Sequence, residues 1–404
     1  MKAPRHDVGE FRREFPTLEH GVHLASCSLG ARSTRLDAAM SAMLDAACRP
    51  GAWQSFEEQI DQLRQRCAAL IGARPDQVAL MPNASTGAYQ VASTFRWQQP
   101  PWQHRPRLVT TVAEFPSIAH VWLAQRPRGA EVVFVGDATS AVSAEDYLAV
   151  IDDRTALVSV PATTYRDGTR LRVATIAAAA HAVGAKVIVD AYQAVGVEPV
   201  NVDQLGCDYL IAGFSKYLLG LPGAALLYAR NPEDEAQQPQ LTGWFGRVDP
   251  SAFDPRRLDF PPAAQRFETG TPAVPTVYAA NAGLSLIDQL DLHAVRRHVE
   301  DLIAYAAAQL RGQGEAVRLA ASPSAQGAHL PLLDSDPQAL AAWLAEWGIA
   351  VSPRADVARL SVHAYTSRDD IDALCTALHA YRRQAGGWSP STQTRGLATS
   401  GGRR

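Results

Sequence analysis

Cysteine is scarce in this chain, and its spacing has no pattern. Cys27, Cys48, Cys67, Cys207 and Cys375 are odd in number, widely scattered and form no Cys-x-x-Cys pair. That argues against a disulfide framework and against a cysteine zinc site, and no metal is expected. Excess positive charge is missing as well. A formal net charge of −3 over 404 residues leaves no basic footprint for nucleic acid or for an anionic membrane. Long apolar runs are also absent: the most apolar region, 175–197, is interrupted by His181, Lys186 and Asp190, so it does not span a bilayer. The opening Met1-Lys-Ala-Pro-Arg-His-Asp7 leads into polar sequence, not into an apolar signal core. A cytoplasmic protein is expected, and no internal repeat is visible.

What the chain does have is a stretch that organises the rest. Lys186-Val-Ile-Val-Asp190-Ala-Tyr-Gln193 is followed by Asp208-Tyr-Leu-Ile-Ala-Gly-Phe-Ser-Lys216. Each half begins as a short apolar run and ends in a charged residue, the pattern of a buried parallel strand that delivers a functional side chain at its carboxyl end. In open α/β sheets ligands sit at that rim. An acid ending one strand and a lysine just past the next suit a pyridoxal phosphate site. The lysine amine would form a Schiff base with the cofactor aldehyde, and the carboxylate would keep the pyridine nitrogen protonated. Taken alone, the same residues also read as a helix-capping acid and a solvated surface lysine.

Around this centre, strands near 78–81, 108–112, 131–135, 156–161, 186–190 and 208–212 alternate with helical spacing at 33–49, 54–71, 88–96 and 173–183. That predicts an α/β architecture with a mostly parallel sheet. Ala224–Ala229 reads as one more strand, at the edge. Asn83-Ala-Ser-Thr86, between a strand and a helix, offers a phosphate cradle at the helix start; an ordinary helix cap is the competing reading. Residues 231–280 are loop-rich, as functional or interface segments are. A long helix over 281–313 then leads to a smaller α/β domain with strands near 316–320, 328–333, 348–353 and 358–363. Its last helix starts at Ser367, with Asp370 completing the capping pattern. The expected organisation is an N-terminal segment over 1–50, a large domain over 51–280, a small C-terminal domain over 281–386 and a disordered tail over 387–404.

Several motifs occur together and in order: Leu24-Ala-Ser-Cys-Ser-Leu-Gly30, Asn83-Ala-Ser-Thr86, Phe115-Pro-Ser117, Asp190-Ala-Tyr-Gln193, Ser215-Lys216-Tyr-Leu218, Gly243-Trp-Phe-Gly246, Arg266-Phe-Glu-Thr-Gly-Thr-Pro272 and Arg359-Leu-Ser-Val-His-Ala-Tyr365. This set resembles the class V aminotransferase family of fold-type I pyridoxal phosphate enzymes, in its kynureninase-like branch, over roughly residues 20–385. The resemblance implies the pyridoxal phosphate-dependent transferase fold, with a mostly parallel seven-stranded sheet in the large domain and a small C-terminal α/β domain.

It also implies roles. Lys216 would hold the cofactor and shuttle the α-proton, and Asp190 would pair with the pyridinium nitrogen. Gln193 and Thr164 would approach the phenolate oxygen, and Phe115 would stack on the ring. Ala84, Ser85 and Ser215 belong to the implied cofactor-binding set. Thr271, with Trp244 beside it, matches a phosphate contact made by a partner subunit, which implies a homodimer with shared active sites. Arg359 matches the substrate-carboxylate clamp, a role its planar fork suits independently.

Two departures narrow the chemistry. Ser352–Ala358 lacks the cysteine that persulfide-forming relatives carry there. Gly270-Thr271 and Ile118 stand where kynureninases have Ser-Asn and Asp, which argues against kynurenine itself. The resemblance therefore implies an enzyme acting at the α-carbon of an α-amino acid, with a lean to transamination. A kynureninase-like hydrolase or a C–S or C–C lyase is the alternative, and a cofactor-binding scaffold without turnover is the outsider.

Overall fold

The computed structural model describes residues 8–137 and 141–384. The expected tail over 387–404 lies outside the described residues. The strands, in chain order, are β1 Val22–His23, β2 Val78–Met81, β3 Arg107–Thr111, β4 Glu131–Val135, β5 Thr155–Pro161, β6 Lys186–Asp190, β7 Tyr209–Gly213, β8 Ala225–Ala229, β9 His329–Leu333, β10 Ile349–Ala350, β11 Ser352–Arg354 and β12 Val357–Ser361. The central sheet has seven strands in the order β2-β8-β7-β6-β5-β3-β4. The run from β7 to β4 is parallel throughout. β5 and β7 are buried at every residue, and β6 at all but its first. Strands covered by helices on both faces need such near-continuous apolar sequence.

β8 differs from its expected place at the edge. It lies between β7 and β2 and is antiparallel to both. All five of its residues are buried, and the shorter β2, itself buried, takes the edge of the sheet. Two antiparallel steps restore direction. The carboxyl end of β2 therefore opens on the same rim as those of β6 and β7.

The C-terminal region carries a three-stranded antiparallel sheet, β11-β12-β9, and β10 pairs in parallel with β1. The N-terminal segment is thus fastened to the C-terminal region, and Arg12 adds two bonds to Asp370 at 2.7 and 2.9 Å. Asp370 also closes the predicted capping box, accepting from Ser367 N at 2.8 Å.

Three local expectations change. The single helix over 281–313 is two, Val274–Ile287 and Leu292–Gly312. Asp291 breaks it by capping the second, its carboxylate accepting from His293 N at 2.9 Å. Residues 316–320 form one bridge, Val317 to Leu332, and no strand. Residues 348–353 divide into β10 and β11, which serve different sheets. Pro353 sits in β11, an edge strand that does not need its missing N–H.

The turn that carries Lys216 is fixed from two sides. Gly30 N donates to Ser215 O at 2.8 Å. On the other side the helix Val274–Ile287 presses against the turn at Gly283, where an added Cβ would lie 2.1 Å from Leu218 O. Only a residue without a side chain allows this approach. Among the described residues no helix is long and apolar enough to cross a membrane.

Candidate active site

A cavity of about 240 Å³ opens at the carboxyl rim of the central sheet. Asp190, the last residue of β6, and Lys216, in the turn after β7, both line it. Phe115 reaches it from the start of the helix that follows β3. Ala84 and Ser85 reach it from the helix Ala84–Ser93. Asn83 caps that helix, its Oδ1 accepting from Thr86 N at 2.9 Å. The N–H groups of the first helical turn, which the helix itself leaves unpaired, face the cavity beside the positive dipole end. The cavity thus has an anion-binding end, an amine and a carboxylate.

Burial governs the charges. Lys216 is brought down to about 8, chiefly by desolvation, with the Asp190 carboxylate opposing. A useful fraction of neutral amine is therefore present near neutral pH. Desolvation raises Asp190, while the Tyr192 N–H, 2.9 Å away, and the Lys216 charge favour its ionised form. Glu114, also on the cavity wall, is pushed up to about 8 by burial and then by Asp190. Two carboxyl groups this close do not both ionise readily. Burial therefore works toward holding a proton on Glu114, against Ser159 Oγ, which donates to its Oε2 at 3.1 Å, and the Phe115 N–H at 2.9 Å. Gln193 donates Nε2 to Cys27 O at 3.0 Å, but its buried Oε1 has no partner. An orphaned buried amide oxygen costs stability unless a ligand satisfies it.

Arg359 stands behind the cavity wall and is almost fully buried, at 1% exposure. Its Nη1 donates to Tyr165 O at 2.7 Å, and its Nη2 to Ser28 Oγ at 3.0 Å and Ser352 Oγ at 2.8 Å. Every one of these partners is neutral. Among the described residues no carboxylate pairs with this guanidinium, so a buried cation is left without an anion, a costly arrangement unless a ligand brings one. His329, held near 3 by burial and by Arg359 and Lys216, stays neutral and adds no charge.

Of the residues the sequence singles out, Ala84, Ser85, Phe115, Asp190, Gln193 and Lys216 line one cavity. Arg359 adjoins it through Tyr165. Ser215 sits one layer back, its Oγ 3.2 Å from Tyr192 Oη. Thr164 does not line the cavity. Its hydroxyl accepts from Thr169 N at 3.0 Å within its own turn, and its neighbours Thr163 and Tyr165 face the cavity instead. Trp244 and Thr271 lie away from this cavity. Trp244 packs against Phe253 at 5.8 Å and Trp53 at 6.4 Å, and Thr271 lines a separate groove with Gly270 and Pro272. Glu114 and Tyr192 are cavity residues that motif reading passes over, although Tyr192 sits inside Asp190-Ala-Tyr-Gln193 and Glu114 directly precedes Phe115-Pro-Ser117.

A family model described as Aminotransferase class-V matches residues 50–374. An uncharacterized aminotransferase of Bacillus subtilis, YcbU, is 34% identical over 364 residues, 90% of this chain and 95% of that one. The kynureninase of Pseudomonas fluorescens is 30% identical over 302 residues, 72% of this chain and 70% of that one. Among solved structures, the apo cysteine desulfurase of Thermococcus onnurineus superposes with a TM-score of 0.83 at 19% identity, over 95% of this chain and 99% of that one. That similarity is one of fold.

Proposed function

The chain belongs to the class-V aminotransferase family, whose members are pyridoxal phosphate-dependent enzymes, and from that premise we propose that it transfers the amino group of an α-amino acid. One observation carries the reading. Lys216 and Asp190 line a single cavity with a helix start at its anion-binding end, and Arg359 waits beside it without an anion. The residues fit the cofactor: the amine for its aldehyde, the carboxylate for its ring nitrogen, the first-turn N–H groups of Ala84 and Ser85 for its phosphate, and Gln193 with an unpaired polar atom.

When bound, pyridoxal phosphate supplies an aromatic ring that accepts the charge left at a substrate's α-carbon. The chain's own residues do the rest. Lys216 would hold the cofactor, and its Nζ, once free, would take the α-proton of the substrate and give it up at a second carbon. The Asp190 carboxylate would face the ring nitrogen and favour its protonated form. Phe115 offers an uncharged face for stacking. Arg359 would bind the substrate carboxylate through its fork and so orient the α-carbon in the cavity. Ile118, buried in the cavity wall, adds an apolar surface to the site.

Transamination needs one base that moves a proton between two carbons, which Lys216 provides. The 34% identical relative named as an aminotransferase supports this direction. The kynureninase similarity supports a second reading, hydrolytic or C–S/C–C lyase chemistry. Stoichiometric incubation of loaded enzyme with a panel of amino acids separates them. Transamination yields one equivalent of α-keto acid, and turnover resumes only when an acceptor keto acid is added. Release of pyruvate, alanine or a thiol under continuous turnover contradicts it.

A homodimer is part of the proposal. Trp53, Val248 and Phe253 are 51, 58 and 72% exposed. The two aromatic rings meet across Trp244, and exposed apolar clusters of this kind mark interfaces. The double variant Trp53→Asp/Phe253→Asp is expected to sediment as a monomer while wild type sediments as a dimer. Equal sedimentation coefficients contradict this placement of the interface.

A further inference from the structure

Tyr192 lies between Asp190 and Gln193, yet nothing above uses its ring. We propose that Tyr192 is a positioning residue for Lys216: its ring face carries the ammonium group, and its hydroxyl, tied to Ser215, keeps that face turned toward the amine. This rests on the reading of Lys216 as the residue that holds the cofactor.

Lys216 Nζ stands 4.2 Å from the Tyr192 ring centroid, nearer than the 5.5 Å to the Phe115 ring. Within about 6 Å, a ring's negative face attracts a cation, more strongly where water is excluded. Three tethers hold the ring there. Tyr192 N donates to Asp190 Oδ1 at 2.9 Å, and Tyr192 Oη meets Ser215 Oγ at 3.2 Å. The third is space: a Cβ on Gly213 would lie 2.0 Å from both Cζ and Oη of Tyr192. The last residue of β7 thus lacks a side chain where the phenol is seated. One ring is linked to the acid at its backbone and to the residue before the lysine at its tip, and so couples the positions of the site's two charged groups.

The ring favours the charged amine, so its loss lowers the pH at which Lys216 gives up its proton. The other groups acting on Lys216 are Asp190 and Cys27, which favour the charge, and Arg359 and Arg354, which oppose it. All four are retained in the variants. The probe is limited acetic anhydride labelling of Lys216 across pH, quantified by peptide mass spectrometry on full-length protein stripped of cofactor. The pH midpoint of the cofactor's visible absorbance in the holoenzyme is read alongside.

Tyr192→Leu is expected to lower the labelling midpoint by ~0.5–1.5 pH units, and Tyr192→Phe, which keeps the face but loses the Ser215 tether, to lower it by less than half as much. Tyr192→Met, also ringless, serves if the leucine variant does not fold. An unchanged midpoint in a folded ringless variant overturns the proposal, as does an equal fall in Tyr192→Phe. Labelling of the stripped protein needs no cofactor. Failure of this proposal is therefore distinct from failure of Lys216 to bind cofactor, which borohydride reduction reports separately.

Discussion

Lys216→Ala protein is expected to lose exchange of the substrate α-proton with deuterated water by about 10⁴-fold or more, and to release pyridoxal phosphate on gel filtration. Two functions disappear with one amine. The covalent hold on the cofactor goes, and so does the base that moves the proton, each a large part of such a rate enhancement. No neighbour can substitute. Glu114 is pushed up to about 8 by burial and then by Asp190, and is held by the Phe115 N–H and Ser159 Oγ; His329 is neutral but enclosed behind the wall with no exposed surface. Added alkylamine is expected to restore part of the exchange in the variant, because the cavity left by the side chain admits a small base. Full-rate exchange in the variant would assign the proton transfer elsewhere.

Arg359→Ala is expected to lower kcat/KM on the order of 10²–10³-fold, about 3–4 kcal/mol of transition-state stabilisation, through loss of a buried charge-assisted clamp. The guanidinium is spread over Ser28, Tyr165 and Ser352, which orient its plane before substrate arrives. Arg359→Lys keeps the charge but not the fork and should recover little of the loss. Amines lacking a carboxylate provide the control: their slow turnover should be equal in wild type and variant. A uniform fall for both kinds of substrate would make Arg359 a structural residue.

Much of this arrangement is legible in the chain because burial writes itself into composition. β6 and β7 are nearly unbroken apolar runs, so Asp190 at the end of the first and Lys216 just past the second stand out against the pattern. Strand order is less visible. β8 reads correctly as a strand, yet periodicity says nothing about its neighbours, and only the pairing shows it enclosed between β7 and β2. The break at Asp291 is a local signal, an acid followed by a helix start, outweighed by apolar spacing that continues across it.

Site details fail to appear for a different reason. The neutral setting of Arg359 depends on Ser28, 331 positions away, and Tyr165, 194 away. Thr164 is held inside its own turn by bonds to Thr169 and Gly168, while Thr163 and Tyr165 line the cavity. The pairing of Tyr192 with the bare position at Gly213 couples two strand ends that no spacing rule connects. Residues that end strands can be read from order; those that hold them in place depend on contacts made only when the sheet closes.

The chain contains three lysines, Lys2, Lys186 and Lys216, and Lys186 is paired with Asp208 at 3.0 Å. Borohydride reduction of the pyridoxal phosphate-loaded enzyme, followed by peptide mass mapping, asks directly which one holds the cofactor. The expected result is a single modified peptide carrying the cofactor on Lys216. Modification at Lys186 or Lys2, or no covalent cofactor at all, would contradict it.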